Sequence, residues 1–148
     1  MTIEERIQSD LVSAMKAGEA IRRDTLRFAK TALKNETVAR ARALSNGEAE
    51  VVIARLVKQL TQAAEEYQQL GHTDRADDER NQIHYLTPYL PAALSDTELT
   101  TLINAAVSAT QAVDLQDLGK VMAALKPQVG TRADGATLAA LVRAKLQG

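Results

Sequence analysis

From Thr2 to Leu86 the chain contains no proline, and its apolar residues return every third or fourth position with little to interrupt them. That period marks α-helices that each bury one face. Ile3, Ile7, Leu11, Ala14 and Met15 form one stripe, opened by the capping box Thr2-x-x-Glu5 and ended by Gly18. Leu26, Ala29, Leu33 and Val38 predict a second helix over about 19–42, after which Ser45-Asn46-Gly47 turns the chain. Val52, Leu56, Leu60, Ala63, Tyr67 and Leu70 predict a third over about 48–70, stopped by Gly71, and a more acidic fourth follows over about 74–86. Long helices joined by short turns favour antiparallel packing.

Thr87-Pro88-Tyr89-Leu90-Pro91 cannot continue the fourth helix, because each proline removes a backbone donor and pushes its predecessor out of the α region. The expected division is therefore an N-terminal helical subdomain of about four helices at 1–90 and a small three-helix subdomain at 91–148. The second part opens with the capping box Ser95-x-x-Glu98 and the seam Leu99, Leu102, Ile103, Ala106 and Val107. Leu115, Leu118, Met122 and Leu125 mark the next helix, which Pro127 should stop; after a turn at 130–135, Leu138, Leu141, Val142 and Leu146 mark the last. The fold class is all-α, in keeping with a composition of 7 Gly, 3 Pro and abundant helix formers.

The same composition excludes much chemistry. With no cysteine there are no disulfides, zinc-thiolate sites or thiol nucleophiles. Aromatics at 3% leave few stacking platforms for single-stranded nucleic acid. No apolar run suits a membrane span or a signal core, so a cytoplasmic protein is expected, with no membrane partner. His72, Asp74 and His84 match no metal-ligand spacing and read as surface residues. Nucleophile elbow, phosphate loop, dinucleotide fingerprint and zincin motif are all missing, so no catalytic residue, metal or cofactor is assigned.

Charge is the more informative map. The net charge of −1 conceals a local +5 over residues 16–42 and −4 over residues 43–86. Arg23, Arg27, Lys30 and Lys34 recur at helical spacing on one stripe of the second helix, offset from its apolar side. The stripe has two readings, phosphate contacts to RNA or pairing with the acidic third and fourth helices, and spacing does not choose between them. Further on, Gly119 sits inside a predicted helix, where glycine costs about 1 kcal/mol against alanine, which points to a close helix crossing. Asp134 is placed to cap the last helix, leaving Arg132 to reach a phosphate outside its mouth.

The run Gly119-Lys120-Val121-Met122-x-x-Leu125-x-Pro127-x-Val129-x-x-Arg132-Ala133-Asp134-Gly135 resembles the signature of the GatB/YqeY family. Thr25-Leu26-Arg27 with Ala32-Leu33-Lys34-Asn35, and Tyr89-Leu90-Pro91-x-x-Leu94-Ser95, are similar to that family's other landmarks in the same order. The resemblance implies a C-terminal unit like the tail domain of the B subunit of the glutamine-dependent aspartyl/glutamyl-tRNA amidotransferase, a carbon-nitrogen ligase. In that enzyme the tail meets the tRNA and the chemistry lies elsewhere. The candidates carried over for an RNA-facing surface are Gly119, Lys120, Arg132, Ala133 and Asp134. One departure stands out: members commonly carry glycine just before the Arg-Ala-Asp-Gly run, where this chain has Thr131, with Gly130 one position earlier.

Two functions follow as expectations. One is a tRNA-binding accessory module, without its own catalytic centre, using Arg23, Arg27, Lys30, Lys34, Lys120 and Arg132, with tRNA or an aminoacyl-tRNA or amidotransferase component as partner. The other is a helical protein-interaction module, whose charged faces pair with a partner or a second copy.

Overall fold

The structure, a computed structural model, describes residues 1–148. It is all helical, and its contacts divide it into two compact units, Met1–Leu90 and Pro91–Gly148. No helix is long and apolar enough to cross a membrane.

In the first unit α1 (Ile3–Ala17), α2 (Ala20–Arg40), α3 (Asn46–Gln69) and α4 (Thr73–Leu86) close around one core. The stripes explain it. Ile7, Leu26, Leu33, Ile53 and Leu86 are completely or almost completely buried, and the packing runs α1 on α2, α2 on α4 and α3 on α4. Gly18, in the left-handed region at φ 71°, lets the chain reverse after α1 within two residues.

Several boundaries differ from those expected. Helix α2 ends at Arg40 because Ala41 turns left-handed, and this swings Arg42 back toward Glu48. Helix α3 begins at Asn46, since Ser45 and Glu48 form a reciprocal capping box rather than an open turn. Glu48 then accepts from Arg42 through two bonds of 2.8 Å each and also pairs with Arg40. The guanidinium contacts and the Ser45 donor hold its carboxyl well below the usual carboxylate range. Val38 and Leu70, placed on apolar stripes by their spacing, are 71% and 70% exposed, in the last turn of α2 and at the C-cap of α3 respectively.

The proline-bearing segment is firmer than its sequence suggests. Thr87–Tyr89 forms a 3₁₀ turn after α4, and Tyr89 is buried in the first core with its hydroxyl donating to Asp10. Burial and the Asp10 carboxylate both push the phenol's pKa up. Arg6 lies over the Tyr89 ring, 5.1 Å from its centroid, and donates to the Pro88 carbonyl at 3.2 Å. The segment through Leu90 thus belongs to the first unit.

The second unit holds α5 (Asp96–Thr110), α6 (Leu118–Val129) and α7 (Gly135–Gln147), with a 3₁₀ turn at Leu115–Asp117 leading into α6. Leu99, Ile103, Val121, Leu125, Val129 and Val142 form its core. Pro127 does not stop α6, which runs on to Val129. So close to the C-terminal end the missing donor removes a single rung of the ladder, and Gly130 closes the helix instead through a 2.9 Å bond to the Lys126 carbonyl.

Two predictions follow from this packing. Tyr89→Phe in the full chain, which removes a donor from a carboxylate, should lower the stability of the first unit by about 1–3 kcal/mol in urea denaturation. Because Glu48 titrates lower folded than unfolded, its clasp contributes fully above the ordinary carboxylate range and loses that contribution as pH falls through the folded value. Glu48→Gln should therefore flatten the acid limb of the stability profile; an unchanged limb would show that the clasp is not linked to folding.

Candidate binding surface

The six cations expected to face a ligand divide by their partners. Arg23 donates through Nε to its neighbour Asp24 at 2.9 Å, and this bond lowers the Asp24 pKa. Lys120 donates to the Thr110 carbonyl at 3.2 Å and stands 3.9 Å from Asp117. Arg132 donates through Nε to the Ala92 carbonyl at 3.1 Å and lies 3.7 Å from Glu98, while the Leu94 amide donates to the Arg132 carbonyl at 2.9 Å. Arg132 therefore fastens the turn before α7 onto the segment that leads into α5. The Nε donor is thus used internally, while the side chain remains 39% exposed.

Arg27, Lys30 and Lys34 are different: all three are exposed and none forms an ion pair. Arg27 instead extends over Met15, with a guanidinium nitrogen 3.9 Å from its sulfur. Lys30 and Lys34 wall a groove of about 610 Å³ between α1 and α2. The buried side chains of Ile7 and Leu33 and the half-exposed Val12 supply its apolar lining, and Glu4 and Glu5 line it from α1. Helix periodicity places this arrangement: positions 30, 34 and 37 follow one edge of α2, beside the buried stripe of Leu26, Ala29 and Leu33. Sequence reading found the cations but not the groove, since nothing local tells that α1 brings two carboxylates to the same trough.

The remaining motif residues serve the second unit's architecture. Val121 is fully buried, and Met122 packs against the core from its edge. Asp134 caps α7 by accepting from the Thr137 amide at 3.1 Å, with Gly135 as the first helical residue. Gly119 is not at a close crossing. It stands in the exposed first turn of α6, and a Cβ there would meet nothing within 4 Å. Gly130 adopts φ 55° and ψ −129°, a conformation strained for any residue with a side chain. Next to it the Thr131 hydroxyl is buried without a hydrogen-bond partner.

His72 flanks the N-terminus of α4 and His84 lies in its last turn, so the length of the helix separates them. Ser45 and Ser95 use their hydroxyls as helix caps. The family described as Yqey-like protein matches residues 4–146. The chain belongs to that family. Its match spans both units and includes the α1–α2 groove as well as the Gly119 to Gly135 run. No curated protein matches the chain.

The departure at Thr131 yields a direct test of this family member. An unsatisfied buried hydroxyl costs about 1–3 kcal/mol, so Thr131→Val, which keeps the shape, should leave stability unchanged or raise it by up to that amount in thermal unfolding. Gly130→Ala should lower it by about 1–3 kcal/mol, because alanine must hold the same left-handed backbone.

Proposed function

We propose that this YqeY-like chain is a helical binding module with no reaction centre of its own, and that its α1–α2 groove receives a protein surface. One observation carries the reading: Lys30 and Lys34, exposed and in no ion pair, stand beside an apolar trough that also holds carboxylates. A phosphate backbone needs cations alone and is repelled by Glu4 and Glu5 in the same groove. A protein surface uses all three components, burying apolar side chains at the centre and matching charges at the rim.

The second reading is contact with the body of a tRNA, as a cytoplasmic accessory to glutamine-dependent amidation. It draws support from the run of Arg27, Lys30 and Lys34 along α2 and from the resemblance of the Gly119 to Gly135 segment to the amidotransferase tail. Against it stands the engagement of one donor each of Arg132 and Lys120 with carbonyls of the second unit.

Filter binding of tRNA at two salt concentrations tests the choice. The protein reading expects no saturable binding at low salt, where counterion release favours RNA most. Salt-sensitive binding that is lost when Arg27 and Lys34 are both changed to Glu would establish the RNA reading instead. On either reading, purified chain alone should hydrolyse glutamine no faster than background, as followed by ammonia release.

A further inference from the structure

We infer that the occupant of the α1–α2 groove is a second copy of this chain, related by a two-fold axis that runs along the groove. This rests on the protein-binding reading above and names its partner. The argument starts from level. Helices α1 and α2 are antiparallel about Gly18, with thirteen residues back to Glu5 and twelve forward to Lys30. At the same rise per residue in both helices, the Glu4 and Glu5 carboxylates stand at about the height of Lys30 and Lys34. All four side chains line one groove, yet no ion pair forms across it.

A two-fold axis along the groove exchanges the edge carrying α1 with the edge carrying α2 and preserves height. Glu4 and Glu5 of one copy then face Lys30 and Lys34 of the other, twice over, as an isologous contact requires. A two-fold axis across the groove reverses height: placed at the level of the charges it sets carboxylates against carboxylates and lysines against lysines, and placed elsewhere it brings no carboxylate to a lysine of this groove. The charge pattern therefore selects one symmetry operator. Between the charged edges the two linings meet, and Val12, which is 39% exposed in the single chain, becomes covered. The product is a four-helix arrangement of α1, α2 and their symmetry mates, built by the packing that antiparallel amphipathic helices use within one chain. Arg27, which already lies over Met15, would flank this contact at its far end.

The test uses the full chain in sedimentation velocity and a charge exchange. Wild type should dimerise in a concentration-dependent way, more weakly as salt rises. Glu4→Lys with Glu5→Lys makes the groove wholly basic, and Lys30→Glu with Lys34→Glu makes it wholly acidic. Each variant alone should lose self-association by about ten-fold or more, whereas an equimolar mixture should form a heterodimer. Since reversal at Glu4 and Glu5 also touches the first turn of α1, Val12→Glu provides a second route. It places a carboxylate on the apolar lining of an otherwise unchanged helix and should likewise give monomers with wild-type circular dichroism.

Wild type that stays monomeric, with a mixture that does the same, overturns the second copy as occupant. If that monomer also fails to bind tRNA at low salt, the protein-binding reading survives with a different partner. If it binds tRNA through Arg27 and Lys34, both fall together. Dimers unaffected by all three variants would place self-association on another face and equally overturn the inference.

Discussion

Each helix of this chain carries one narrow apolar stripe, and none can bury it alone. Everything else in the architecture depends on that constraint. With a single Phe, three Tyr and no Trp, the core must be filled by branched aliphatics and alanine, which bring helices close but reach only their immediate neighbours. Two small cores result, one around Leu26, Leu33, Ile53 and Leu86 and one around Val121, Leu125 and Val142. Stripes this narrow also leave the flanks of the helices open, and the α1–α2 groove is such a flank with an apolar lining.

The charged side chains form a second layer of organisation. Arg40 and Arg42 converge on Glu48 to fix the passage from α2 into α3, and Arg132 fixes the passage from α6 into α7. These are internal tasks, performed where the chain changes direction. Arg27, Lys30 and Lys34 lie mid-helix on a straight stretch of α2, where no turn needs securing.

The features legible in the sequence are those written locally. The stripes, the capping box at Ser95 and the stop at Gly18 depend on residues within a turn or two, and each appears in the structure, while at Thr2 only the half of the box in which its hydroxyl accepts from the Glu5 amide forms. The box at Ser45 and Glu48 was equally local but was hidden by the turn-like Asn46-Gly47 between them. What spacing could not reveal depends on which helix meets which. Tyr89 finds Asp10 from 79 positions away, and Arg132 finds the Ala92 carbonyl from 40. The end of the third stripe also differs: Ala64 rather than Ala63 is buried, and Leu70, the C-cap of α3, is exposed. The Arg132 side chain illustrates how a family motif can be legible as a pattern while its task is not. The run around it includes residues that build the second unit, and only their partners reveal this.

The placement of Tyr89 has a temporal consequence. It closes the first core from almost the last position of its unit, together with Leu86. During synthesis, α1 to α3 therefore emerge before the residues from 86 to 89 that complete their core. At typical elongation rates of about 5–20 residues per second, roughly 4–18 seconds pass before the ninetieth residue is joined. Until Leu86 and Tyr89 arrive, the nascent unit lacks the residues that complete its core.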